Sequence, residues 1–320
     1  MSHREDTRRN FLKDAGLAAG ALLAGVAASR GAEGERPAVH LATNQYPWIC
    51  FYRREGRSFA PDEGLKEIAA AGLHGFEPIV TAPQQIDQLA PLLEKHGLEM
   101  RSLYVNCLLH EPEQVKPSTE NVLAIAEKAR RLGTKFIVAN PTPIRWGGPE
   151  NKNDAQLRLQ GQALDRLGAE LKQSGMTLAY HNHDIEMRNA AREFHHMMVG
   201  TDPEHVSLCL DAHWIYRGSG DSAVALFDVI ELYGRRVVEL HVRQSIDGVW
   251  TEAVGEGDVD YPAIAEHLLG LGVKPHVVLE QAVEQGSPRT MDAVEAHRRS
   301  CEYAGRVFAA FSLASCPAAG

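Results

Sequence analysis

Short apolar runs alternate with stretches of helical period along almost the whole chain, and few folds accommodate that rhythm. The runs are "AVHLAT", "HGFEPIV", "EMRSLYV", "KFIVAN", "MTLAYH", "VSLCLD", "VVELHV" and "PHVVLE". Each has strand length and is bounded by polar or turn-forming residues. Between them, apolar residues recur at helical spacing over 62–72, 82–97, 118–133, 154–175, 221–234, 261–272 and 290–311, with a less distinct stretch at 190–200. Gly72, Gly97, Gly133, Gly175, Gly234 and Gly272 close six of these stretches, where left-handed C-caps are expected. Strands that alternate with helices pair in parallel through crossovers. Eight such units within 36–312 predict an α/β fold, a single-domain (β/α)8 TIM barrel. An open doubly wound sheet is the rival. It is disfavoured because the first strand runs into "ATNQYPW", with no glycine-rich phosphate turn.

Ahead of the barrel, "TRRNFLK" (7–13) places Arg8 and Arg9 before Phe11 and Leu12, and "AGLAAGALLAGVAA" follows. A basic start, a short apolar run and small residues resemble a twin-arginine export signal. The run falls short of the ~20 residues that span a membrane. Residues 1–32 are therefore expected to be a removable signal peptide and 313–320 a C-terminal tail. The mature protein is expected to be periplasmic or otherwise extracytoplasmic, with no membrane span. A net charge of −9 supplies no basic field for a nucleic-acid backbone. The cysteines (50, 107, 209, 301, 316) form no CxxC, and Cys209 reads as core. An oxidising compartment would permit a Cys50–Cys107 bridge, which spacing does not establish.

In a barrel of this kind, function gathers at the C-terminal ends of the strands. The first four ends carry Asn44, Gln45, Tyr46 and Trp48, then Glu77, then Tyr104 and Asn106, then Asn140. The last four are richer: His181, Asn182, His183 and Glu186, then Asp211 and His213, then His241 and Arg243, then Glu280. The opposite ends lack such residues apart from an exception such as Glu239. One ionisable residue ending an apolar strand is an ordinary satisfied polar group. Asp211, His241 and Glu280 do so on consecutive strands, beside the histidines of "YHNHDIE" (180–186). Neighbouring strands lie about 4.8 Å apart, so such side chains can converge on one ion. Mixed imidazole and carboxylate donors suit Mn²⁺, Zn²⁺, Co²⁺ or Fe²⁺ better than Ca²⁺, and Mg²⁺ is compatible.

Together "YHNHDIE", "LCLDAHW", "ELHVR", "VGEGDVDY" and "VVLEQ" resemble the xylose-isomerase-like barrels of the sugar phosphate isomerase/epimerase family. The resemblance implies one divalent metal, manganese preferred, on four strand-end residues. Asp211, His241 and Glu280 match three of them. The fourth falls to His181, which stands where the family carries a glutamate, or to Glu186 on the next loop. The resemblance also implies Glu280 as the carboxylate base, with Glu186 a further catalytic candidate. His183 is either a second acid/base or a group that orients His181. Substrate contacts are expected from Trp214, Arg243, His213, Glu77, Asn106 and Glu256, the last within the glycine-rich "VGEGDVDY", which resembles the family's loop over the pocket. Trp214 stands where relatives often carry histidine, and either stacks on a sugar ring or packs. Arg243 stands where lysine is common.

The implied chemistry is proton transfer next to a carbonyl of a sugar or keto-sugar. Return of the proton gives epimerisation or isomerisation, and loss of a β-substituent gives elimination from a 3-keto-glycoside or inosose. Export counts against sugar phosphates. A nuclease like endonuclease IV is disfavoured by the acidic chain, and a non-catalytic sugar-binding protein by the intact Asp211, His241 and Glu280. A homo-oligomer is compatible with the sequence.

Overall fold

The structure, a computed structural model, describes residues 39–312. The expected signal peptide, the first residues of the 36–312 unit and the 313–320 tail lie outside the described residues. Every predicted apolar run contains a parallel strand. In chain order these are β1 (Leu41–Asn44), β2 (Gly75–Glu77), β3 (Ser102–Cys107), β4 (Phe136–Pro141), β5 (Thr177–His181), β6 (Val206–Asp211), β7 (Val237–Val242) and β8 (His276–Leu279). The ladder runs β2-β1-β8-β7-β6-β5-β4-β3. Across the remaining seam, Glu99 O accepts from Phe76 N at 2.9 Å and Tyr104 O from Val80 N at 2.8 Å. The sheet thus curls into a single-domain (β/α)8 barrel, and the open-sheet rival is excluded.

Alternation along the strands divides the side chains into two cores. Leu208 and Leu210 of β6 belong to the large layer under the helices, whereas Cys209 faces the barrel interior with Tyr104, Val138 and Ala179. Asp211 and His241 are register partners across β6 and β7, and Val278 of β8 pairs with His241. Glu280 lies two residues beyond Val278 and so returns to the inward face.

All eight predicted helices are present, from Pro61–Ala70 to Ala293–Val307. Two more were not anticipated. Gln45–Arg54 and Ala212–Gly218 begin directly where β1 and β6 end. The polar strand-end residues serve as their N-caps: Asn44 Oδ1 accepts from Tyr46 N at 2.7 Å and Asp211 Oδ1 from Trp214 N at 2.9 Å. The first helix carries Trp48 away from the strand ends into the core, where it stacks on His297 at 4.2 Å.

Five of the six closing glycines adopt positive φ, but Gly234 does not (φ −56°). A Cβ there would lie 2.6 Å from the Leu271 Cδ1 methyl, which would have to shift. Cys50 and Cys107 are separate buried thiols, so the permitted bridge is not formed, and Cys316 lies outside the described residues. Among the described residues, no helix is long and apolar enough to cross a membrane.

His297 gives the fold a pH dependence of definite sign. It is 2% exposed, and its Nδ1 meets the Ala293 carbonyl at 2.7 Å. Burial pushes its pKa down to about 4. Between that value and about 6.5 the unfolded chain binds a proton that the folded chain refuses, so stability drops as the pH is lowered through this window. His297 should account for a loss on the order of 3 kcal/mol there. His297→Phe keeps the ring stack and removes the titration. Urea unfolding at pH 7.5 and 5 should show a smaller loss in the variant, and an unchanged loss would refute the assignment.

Candidate active site

Four donors converge at the C-terminal mouth of β5 to β8. His181 ends β5, Asp211 ends β6, His241 lies within β7, and Glu280 directly follows β8. Their ligand atoms all lie within 4.8 Å of one another, and none of the four is more than 4% exposed. Asn182 fixes the height of Asp211 by donating to its carbonyl at 3.0 Å and accepting from its N–H at 3.1 Å. His241 Nδ1 meets Glu280 Oε2 at 2.6 Å. His181 Nε2 is buried with no hydrogen-bond partner, a costly state for a lone polar atom. Burial, with His183 and His241 adding to it, holds His181 well below the usual histidine range, so it is neutral. A neutral imidazole with a free nitrogen beside two carboxylates and a second imidazole fits a divalent transition metal or Mg²⁺.

Of the two candidates for the fourth donor, His181 is in this group and Glu186 is not. Glu186 Oε2 accepts the His183 N–H at 2.7 Å, and burial, helped by Glu193, pushes the carboxyl up to about 8. It does not line the cavity.

A second carboxylate layer lies beneath His241. Its Nε2 is 3.1 Å from Glu77 Oε1 and 3.2 Å from Glu239 Oε1. Glu77 was expected to touch substrate, but it is fully buried below the cavity, where Asn44 Nδ2 donates to it at 2.6 Å. Burial and then Glu239 push it up to about 7. Glu239, set aside in the sequence as an exception, faces inward two residues before His241 and also meets His276 Nδ1 at 2.8 Å. Carboxylates on the far nitrogen orient an imidazole and strengthen it as a ligand.

Above the donors opens a cavity of about 390 Å³ with Arg243 and Glu280 among its walls. His183 and Asn106 line it, the latter accepting from Asn140 Nδ2 at 2.8 Å. Burial, then Arg243, pushes His183 down to about 3, and its Nδ1 has no partner. Trp214 lines the cavity and also packs edge-on against Trp250 at 5.2 Å.

Besides Glu77, two more expected substrate contacts lie elsewhere. His213 Nε2 is bonded to Ser245 Oγ at 2.9 Å and its ring sits 4.5 Å from Trp250, behind the wall. Glu256 is exposed and does not line the cavity. No residue of the "VGEGDVDY" loop does: Gln244 Nε2 ties it down through Gly255 O and Val259 O at 2.9 Å each. Gly257 is required there, since a Cβ would lie 2.3 Å from Ser245 O. Conversely, Trp146 was missed. It is 53% exposed, lines the cavity, and meets His183 edge-on at 5.0 Å. The available signal was a lone tryptophan before a glycine pair in the long loop after β4.

A (β/α)8 barrel whose polar side chains cluster at the C-terminal strand ends defines the general class. Within it, the chain belongs to the xylose isomerase-like TIM barrel family, whose model matches residues 65–303. It is similar to the inosose dehydratase of Clostridium perfringens (strain 13 / Type A), 27% identical over 241 residues that cover 65% of this chain and 78% of the relative. A sugar phosphate isomerase/epimerase from Parabacteroides distasonis ATCC 8503 superposes with a TM-score of 0.66 at 18% identity, covering 90% of this chain and 100% of that one. The 3-keto-D-glucoside 4-epimerase YcjR from E. coli gives 0.61 at 17%, covering 83% and 98%. At such identities the structural likenesses speak for the fold.

Proposed function

We propose that the protein is an exported, divalent-metal-dependent enzyme of isomerase/epimerase type that moves a proton next to the carbonyl of a sugar or keto-sugar. The observation that carries this reading is the buried group His181, Asp211, His241 and Glu280, whose member Glu280 reaches the wall of a cavity that His183 also lines. A divalent ion held by these four residues would supply Lewis-acid polarisation of a substrate carbonyl or hydroxyl pair.

The chain's own groups divide the remaining work. Burial raises the Glu280 pKa, but Arg243 and His241 outweigh it and hold the carboxyl well below the ordinary range. Such a carboxylate is a good ligand and a poor proton acceptor. His183 is unprotonated, faces the cavity and has Nδ1 free, so it is the group placed to accept the proton, at a basicity that burial and Arg243 also lower. Asn106 and Tyr104 can hold substrate hydroxyls, and Trp146 and Trp214 offer apolar faces to a ring. The twin-arginine-like segment at 7–13 supports a free sugar outside the cytoplasm as the substrate.

A second reading, elimination from a 3-keto-glycoside or inosose, is favoured by one feature. Epimerisation requires acid/base groups on both faces of the reacting carbon. With Glu280 held as a ligand, the buried unpartnered acid/base atom on the cavity wall is His183 Nδ1, the other ionisable carboxylates lining it being Asp184 and Glu284. The likeness to an inosose dehydratase supports the same outcome. Incubating the Mn²⁺-supplemented protein with keto-sugars and inososes in D₂O separates the readings. Deuterium at the carbon next to the carbonyl, with the substituents retained, marks the isomerase/epimerase. Loss of the β-substituent to a conjugated enone marks the lyase. Neither exchange nor loss on any such substrate would sink the proposal.

A further inference from the structure

Arg243 is 3% exposed and spans both carboxylates of the donor group. Its Nε donates to Asp211 Oδ2 at 2.6 Å and its Nη2 lies 2.7 Å from Glu280 Oε2. Its backbone is anchored, since the N–H donates to Tyr261 Oη at 2.8 Å and the same hydroxyl donates to its carbonyl at 2.5 Å. The head is held differently. It faces Trp214 and Trp250 at 5.2 and 5.5 Å, cation–π contacts that tolerate sliding. Trp214 lines the cavity, so a path along its face leads from the carboxylates into open space.

Charge makes this arrangement consequential. Asp211 and Glu280 bring two carboxylates to the donor group, and the Arg243 guanidinium lies against both of them. A divalent cation on the same oxygens would meet a fixed positive charge at ligand distance, in a buried setting where screening is weak. We propose that Arg243 is a resident counter-cation that competes with the divalent metal for Asp211 and Glu280. It keeps the two carboxylates paired until the metal arrives, then yields them and swings along Trp214 into the cavity. There its freed donors would meet an oxygen-rich or anionic substrate group, so metal loading and substrate binding are linked through one side chain. The inference rests on the metal reading of the site.

The test is Mn²⁺ titration calorimetry on the full purified chain and its Arg243→Met and Arg243→Lys variants, with thermal unfolding in EDTA and in Mn²⁺. Arg243→Met should bind Mn²⁺ more tightly by about ten- to a hundredfold. Arg243→Lys, a point charge that cannot bridge two carboxylates as a fork does, should fall between it and the wild type. In EDTA the Met variant should melt lower than the wild type, and Mn²⁺ should raise its melting temperature by more. Should the Met variant not fold in EDTA, the Lys variant still reports the direction. Wild-type binding with equal or weaker affinity in both variants would overturn the competition and leave the metal reading standing. No Mn²⁺ binding by any of the three would overturn both.

Discussion

Asp211→Asn and Glu280→Gln should each strip the divalent metal from the purified protein and lower turnover by about a thousandfold or more. Both substitutions keep the side-chain shape and remove the charge. An asparagine at 211 can still accept the Trp214 N–H, so the helix Ala212–Gly218 keeps its cap. A glutamine at 280 can still accept from His241 or Arg243. Circular dichroism should therefore remain native while metal content by plasma mass spectrometry falls. Full metal content in either variant would show that the donor set is misassigned. Native metal content with lost turnover would move the residue from ligand to catalytic base.

Lys152→Met should destabilise the fold by about 3–5 kcal/mol, among the largest single-residue effects outside the donor group. Lys152 is 2% exposed and its Nζ lies 2.6 Å from Glu193 Oε1, which also accepts from Gln160 Nε2 at 2.9 Å. Removing the ammonium strands the Glu193 carboxylate without its cation, near the buried Glu186 whose carboxyl it already pushes up. Glu186 in turn holds the backbone N–H of His183. The loss should appear as a lower urea midpoint at unchanged slope. A Lys152→Met/Glu193→Gln double variant should recover part of it, because the stranded charge is gone. A single variant within about 1 kcal/mol of wild type would be typical of a surface pair and would refute the buried-pair account.

Much of the site was legible before any coordinates, for a local reason. An apolar strand must end where its side chains reach water or a ligand, so Asp211, His241 and Glu280 advertise themselves as charged terminators of "VSLCL", "VVEL" and "HVVL". His181 does the same at the end of "MTLAY". Strand parity also puts Arg243, two residues past His241, on the inward face. The carboxylates could not be sorted this way. Glu77, Glu186, Glu239 and Glu256 have the same chemistry near strand ends, yet they lie beneath His241, behind His183, beneath His241 again, and at the surface.

The order of apolar runs and helical stretches by itself determined the barrel, the end of it that carries polar groups, and the residues able to gather there. Those properties follow from side-chain periodicity and chain order, which are written locally. Only the tertiary structure decided that His181 joins the donors, that Glu239 and Glu77 support His241, that Arg243 bridges Asp211 and Glu280, and that Trp146 rather than the "VGEGDVDY" loop walls the cavity. Each of these depends on the stagger between strands and on where a loop lands after several turns of chain, and distance in sequence carries neither quantity.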